Sequence, residues 1–366
     1  MRNWLSGFKY FDLYIFSSSS LLLVLGLLMI YSTTLNSPTN LLGRQSVYAV
    51  LGFVALFAVA FFDYRKLKKT TGVLYIITVL LLIAVWLFGR NIQGSTRWID
   101  LWIFRLQPAE FAKLFMVIIM AKFLDQSGEK IKSLWYVLLS AVYVAVPAGL
   151  ILIEPDLGTS LVLFLTWLCM LLFSRMNKKH LAILALIAVV LGVFGWFFVL
   201  HDYQKNRIYT FLDPQADPRG RGYNVIQSII AVGSGSMTGR GVGRGLQSQL
   251  KFLPERQTDF IFASTAEELG LVGSLFILTM FGVMFARIIK ACKLARDNFG
   301  MYLTLGIFFM LLIQFLINIG MNVGLMPVTG IPLPLLSYGG SSLITTMLAL
   351  GLVQSVIARQ RAVRFD

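Results

Sequence analysis

Four carboxylates fall within one short polar stretch, LKFLPERQTDFIFASTAEELG at 250–270: Glu255, Asp259, Glu267 and Glu268. Carboxylates are the side chains that accept protons from attacking hydroxyls, provided their proton affinity is raised towards working pH. Asp259 is placed for that, between Thr258 and the apolar Phe260-Ile261-Phe262. Partial desolvation there favours its neutral form and makes it a stronger base. The same position suits an aspartate that caps a helix, so the residues alone leave both roles open. A second charged pair, Glu110 and Lys113 in QPAEFAK, is three residues apart and therefore shares one helix face. It reads either as a structural ion pair or as the polar floor of a cavity, because ionisable groups within an apolar span face a bundle interior or water. Gln314, Asn318 and Asn322 recur at four-residue spacing and make one polar stripe, which interhelical hydrogen bonding explains.

Other patterns carry less. Gly233–Gly245 (GSGSMTGRGVGRG) lacks the Lys-Ser/Thr of a phosphate-binding P-loop and no strand–helix unit flanks it, so no nucleotide site is expected. It reads as a flexible cationic loop whose Arg240 and Arg244 contact an anionic substrate or lipid headgroups. The segment 201–221 mixes acids with Lys205, Arg207, Arg219 and Arg221, and its Asp-Pro pairs mark turns. Arg207 is the member of this group that could meet a phosphate. Two histidines exclude a His-rich metal site, and Cys169 and Cys292 offer neither a disulfide framework nor metal-ligand spacing.

These residues need elements to hold them, and the chain supplies mostly membrane helices. It has 366 residues, is 57% hydrophobic, and carries a mean hydropathy of +0.76. Runs of about 20 apolar residues recur, each enough to cross a bilayer. Ten are read, at roughly 11–32, 46–62, 71–89, 107–124, 134–153, 159–174, 180–201, 269–290, 300–324 and 341–357. The expected architecture is an all-α polytopic membrane protein, one integral membrane domain over 1–366. The N-terminal run shows no cleavage site and reads as a retained first span. Basic residues gather in alternate connections, around Arg2–Lys9, Arg65–Lys69, Lys122–Lys132, Arg175–Lys179, Arg287–Arg296 and Arg359–Arg364. The positive-inside rule makes these cytoplasmic, with both termini inside, and that requires an even number of spans. It also accounts for the net charge of +15 without nucleic acid.

The opposite face then carries the candidate chemistry. Segment 89–106 (GRNIQGSTRWIDLWIFRL) suits an interfacial helix or hairpin, with Arg97 and Arg105 among Trp98, Trp102 and Phe104. EPDLGTS at 154–160 is a short turn with two acids, and 202–268 is one long extracytoplasmic loop between the seventh and eighth spans. The uncharged, Pro- and Gly-rich 324–340 is expected to be irregular backbone that packs in protein or lines a cavity.

QPAEFAK, EPDLGTS, HDYQKNRI (201–208), LDPQADPRGRGYNVIQS (212–228), QSQLKFLPERQTDFIFA (247–263), AEELG (266–270) and MPVTGIPLPLLSYGGSS (326–342) together closely resemble the shape, elongation, division and sporulation family of polytopic glycosyltransferases. The HDYQ and QSQL-FLPER stretches are more similar to its elongation branch than to its division branch. Ala109, Ser236 and Gln257 depart from the usual Ser, Gly and His. Gln257 weakens any mechanism that needs an imidazole beside the aspartate.

The resemblance implies a ten-span fold in the bacterial cytoplasmic membrane and polymerisation of lipid II into glycan strands on its outer side, in rod-shape elongation. It places the essential acid on Asp259 and the paired intramembrane charges on Glu110 and Lys113. It implies a class B penicillin-binding transpeptidase and the elongation complex as partners. The reaction expected is an inverting displacement: Asp259 takes the proton of an acceptor hydroxyl, and undecaprenyl diphosphate leaves. Cations must meet that diphosphate, Lys113 and Arg207 first, then Arg44, Arg97, Arg240 and Arg244, directly or with a divalent metal such as Mg or Mn. No nucleotide or organic cofactor is needed. The rival readings are a lipid II flippase, for which no clear internal repeat is found, and a non-catalytic scaffold for the transpeptidase.

Overall fold

The computed structural model describes residues 11–35, 40–92, 95–100, 105–198, 202–220, 222–250 and 252–361. His201, Arg221, Trp102, Phe104 and the basic residues Arg2, Lys9 and Arg364 lie outside these. The helices in chain order are α1 (Leu13–Thr34), α2 (Leu41–Phe61), α3 (Leu67–Phe88), α4 (Pro108–Ser127), α5 (Leu134–Ile153), α6 (Leu157–Leu172), α7 (Lys178–Phe198), α8 (Asp202–Leu212), α9 (Tyr223–Ser234), α10 (Leu246–Gln249), α11 (Ile261–Lys293), α12 (Asn298–Asn322) and α13 (Gly340–Arg361). Among the described residues, eight helices are long and apolar enough to cross a membrane: α1, α2, α3 with the turn before it, α5, α7, α11, α12 and α13. The apolar α6 is shorter, 16 residues, and α4 carries Glu110, Lys113, Lys122 and Asp125.

The core forms around α12, which packs against α4, α6 and α11, while α13 lies along α2. Both α12 and α13 are mostly buried, whereas α7 is almost wholly exposed. Close approach depends on small residues, as in membrane bundles generally. A Cβ at Gly351 of α13 would lie 2.7 Å from the Leu56 carbonyl of α2. Helix starts are fixed by side chains. Asp12 accepts from the amides of Tyr14 and Ile15 and is ion-paired with Arg287 of α11; Asn40 caps α2 through Gly43. That cap brings Arg44 into the first turn of α2, a few residues before the expected start of this span.

The connection after α3 is strand, not helix. Antiparallel β1 (Arg90–Ile92), β2 (Ser95–Asp100) and β3 (Arg105–Leu106) form a small sheet in the order β1-β2-β3, with Arg90 opposite Trp98 and Asp100 opposite Arg105. The all-α expectation is corrected to this extent. Thr96, Trp98 and Ile99 are residues that fit a pleated surface. Helix α11 begins at Ile261, within the expected long loop, and continues past a break at Gly270 (φ 65°, ψ −158°). The sequence reading starts this span at 269, just at that break.

Candidate functional site

A cavity of about 770 Å³ opens between α2, the sheet, the start of α4, the turn before α11 and the segment 324–340. Asp259 lines it, half-buried in the turn before α11. Its main chain is clamped. The carbonyl of Asp259 accepts Nδ2–H bonds from both Asn318 and Asn322 of α12, each at 3.0 Å. Asn322 Oδ1 also accepts the Ala263 amide at 3.0 Å, and Asn318 Nδ2 reaches the Ile331 carbonyl at 2.8 Å. The polar stripe is thus an interhelical hydrogen-bonding device, and the group it holds is the backbone of Asp259.

Neighbouring segments are tied to the same turn. Ser337 Oγ donates to the Thr258 carbonyl at 2.6 Å and the Tyr338 amide to that of Gln257 at 2.8 Å. Buried Arg256 donates to the Thr33 carbonyl at the end of α1. Segment 324–340 is irregular and largely buried, and its Gly330 (φ 76°) brings backbone up to Asp259: a Cβ there would sit 3.6 Å from Oδ2. Burial pushes the Asp259 carboxyl up to about 6, and the charge of Glu255 adds to the shift. Arg207 and Arg97 pull the other way, and Asp156 raises it slightly. The result is an aspartate that is ionised near neutrality yet holds a proton far better than an exposed one.

The cavity wall carries Arg44 from α2, Arg97 from β2 and Arg105 from β3. Arg105 Nε is 3.3 Å from Asp100. Glu110 also lines the cavity, and its carboxylate takes the Lys113 ammonium at 2.8 Å. Lys113 donates as well to Gln314 Oε1 at 2.9 Å and lines a separate small apolar pocket. Arg207 is half-buried, and its Nη1 donates to the Thr329 carbonyl at 3.2 Å. The exposed Arg240 and Arg244 are not among the lining residues. Their glycine-rich segment is pinned: the Arg240 and Gly241 amides bond the carbonyls of Glu267 and Glu268, and the Leu271 amide bonds that of Ser236. Gly239 (φ 77°) is required there, since a Cβ would collide with the Glu268 carbonyl.

Glu267 and Glu268 are fully buried with structural duties. Glu267 accepts the Gln247 and Ser248 amides that open α10 and the Ser248 hydroxyl, while Glu268 accepts from Ser32 of α1 and the Gly243 amide. Glu255, in contrast, lines the cavity with Asp259. Two carboxylates on one turn suit a hard divalent cation, which magnesium sites build from one or two carboxylates with phosphate oxygens and water. Among the described residues no cluster of three or more His, Cys, Asp or Glu is found. Sequence reasoning passed over Arg105 as a site residue. Its only signal was a basic residue at the end of an aromatic hairpin.

Fold and site define a polytopic helical membrane protein with a carboxylate and a cationic wall facing one cavity. The chain belongs to the family whose model, described as "Cell cycle protein", covers FtsW, RodA and SpoVE and matches residues 12–362. It is similar to the peptidoglycan glycosyltransferase MrdB of Escherichia coli K12, 38% identical over 92% of each chain. Stage V sporulation protein E of Bacillus subtilis is likewise 38% identical, over 94% of this chain and 96% of that one. Among solved structures, a peptidoglycan synthase complex described as coordinating polymerisation and crosslinking contains a chain with TM-score 0.83 and 33% identity, covering 96% of this chain and 99% of that one. RodA of Thermus thermophilus matches with TM-score 0.71 and 29% identity over 96% and 98%.

Proposed function

We propose that this chain is a peptidoglycan glycosyltransferase that polymerises lipid II into glycan strands during rod-shape elongation. The observation that carries the reading is Asp259, raised to about 6 and clamped at its carbonyl, on a cavity whose wall presents Arg44, Arg97 and Arg105. In the reaction the sugar 4-hydroxyl of the acceptor gives its proton to Asp259. Its oxygen bonds to the anomeric carbon of the lipid-linked donor with inversion, and the bond to undecaprenyl diphosphate breaks. The arginines meet the charge that builds on the leaving diphosphate, where a low-dielectric wall makes such contacts strongest. Glu255 would help hold a divalent cation together with the diphosphate oxygens and water, which would supply further charge neutralisation there and leave Asp259 free as the base. Lys113 acts through Glu110 as part of the floor, and Arg207 holds the Thr329 backbone beside the cavity.

The basic cytoplasmic segments and the even span count support a ten-span topology with α4 and α6 as shorter or charged spans, both termini inside and the cavity facing outward. The complex in which a similar chain is found supports a class B penicillin-binding transpeptidase as partner. Purified protein is supplied with lipid II in detergent, alongside Asp259→Asn. Polymer from the parent and none from the variant is the expected result; equal polymer from both removes the role given to Asp259. Lipid II translocation without polymer from the parent would return the flippase reading.

A further inference from the structure

Glu154, between α5 and α6, has 0% relative exposure, and among the described residues neither carboxyl oxygen finds a hydrogen-bond partner. Burying such a group unpartnered is costly, and an ionised one far more so. Its surroundings explain what it faces. Arg97 reaches from the cavity wall to this turn, where its Nε meets the Glu154 carbonyl at 3.4 Å and its Nη2 donates to that of Pro155. Asp156 is a distant partner for Arg97, 3.9 Å away. The Asp156 oxygens are engaged elsewhere, by the Thr159 amide and hydroxyl and, at 3.4 Å, by Gln107. Arg97 is therefore held mainly by neutral carbonyls, and its charge stays available to an anion in the cavity.

We infer that Glu154 is a positioning residue for the polymerisation reaction: uncharged, it leaves Arg97 with only the distant Asp156 carboxylate as counter-charge on the cavity wall, and ionised, it withdraws that cation from the substrate diphosphate. The inference rests on the glycosyltransferase reading. Burial is the largest cause that pushes the Glu154 carboxyl up, to about 8; Asp156 adds to the rise and Arg97 opposes it. These two are the charged groups acting on it. Helices α5 and α6 contain no charged residue, nor does 324–339, where Arg207 holds Thr329 against Gly158. Neutral at pH 7, Glu154 ionises above about 8. A carboxylate on the same turn as the carbonyls that seat the guanidinium then competes for it.

The test is the pH dependence of polymerisation by the parent, Glu154→Gln and, should Gln fail to fold, Glu154→Leu, which is also permanently neutral. The parent is expected to show a KM for lipid II that rises about tenfold between pH 7 and 9, the worth of a hydrogen bond to a charged group. The neutral variant keeps the KM of pH 7 across that range, and kcat at pH 7 stays within a factor of a few of the parent. Melting temperature supplies a readout apart from activity. The folded state binds a proton that the unfolded chain releases above the ordinary carboxylate range, so parent stability falls from pH 5 to 8. The neutral variant lacks the part of that fall between pH 6 and 8, above the range of Asp259. Superimposable KM profiles for parent and variant overturn the inference, as does a folded neutral variant that is inactive at every pH. A parent that makes no polymer at any pH defeats the glycosyltransferase reading itself.

Discussion

Asp259 combines a fixed backbone with an uncomfortable side chain. Two asparagines hold its carbonyl while burial and Glu255 oppose its charge. Asp259→Asn should lower polymerisation by roughly 10²–10⁴-fold, the usual worth of a general base. The parent should lose rate on the acid side, tenfold per pH unit below about 6, as the base becomes protonated. Stability moves the opposite way. The folded carboxyl holds its proton up to about 6, against 3.8 for the ordinary group, so folding loses up to about 3 kcal/mol as pH rises through that window. Asp259→Asn is thus expected to melt higher than the parent at pH 8 and no higher at pH 3.5. A variant that is both inactive and less stable at pH 8 would show that the aspartate serves the fold.

Elements explain why such a side chain stays in place. Asn318 and Asn322 rise from the mostly buried α12 and reach across to the turn that precedes α11. Asn322→Leu is expected to strip the Ala263 amide of its partner, at a cost of about 1–3 kcal/mol, and to leave the Asp259 carbonyl held by Asn318 alone. Its signature is a fall in kcat of tenfold or more with KM nearly unchanged, together with a lower melting temperature. Spacing alone revealed the stripe, because four-residue periodicity survives any tertiary context. It could not reveal the target, since the target is a main-chain carbonyl sixty residues or so away with no sequence signature. Glu267 and Glu268 show the converse. As letters they join a loop cluster of acids; in the structure they sit in α11 before the Gly270 break and bind amides of 243–248. Gly270 is the residue that separates these outcomes. A Cβ there would lie 2.3 Å from the Gly239 amide, and φ is 65°. Gly270→Ala should cost on the order of 1–3 kcal/mol, read as a drop in melting temperature with release of the 235–245 segment to proteolysis.

At the scale of the whole molecule, hydropathy and charge were the legible part, because a bilayer forces long apolar helices and a charge asymmetry on any chain that crosses it. The arrangement of the cavity was not, since Arg44, Arg97 and Arg105 meet only through the packing of α2, the hairpin and α4. Charge asymmetry makes a further demand that can be measured. Exposed Met237, in the glycine-rich segment, and exposed Lys132, before α5, should lie on opposite sides of the membrane. With Cys169 and Cys292 replaced by Ala, Met237→Cys is expected to react with a membrane-impermeant maleimide in intact spheroplasts. Lys132→Cys should react only after permeabilisation. Neither replaced cysteine is among the residues that line the cavity. Labelling of the two sites from the same side would demand an even number of crossings between them, and so would rule out α5, α6 and α7 as three spans. It would also put Asp259 on the side where the basic loops lie, away from a lipid-linked donor presented outside. Opposite labelling, by contrast, requires an odd number of crossings between Lys132 and Met237, so with α5 and α7 both spanning, the 16-residue α6 must span as well.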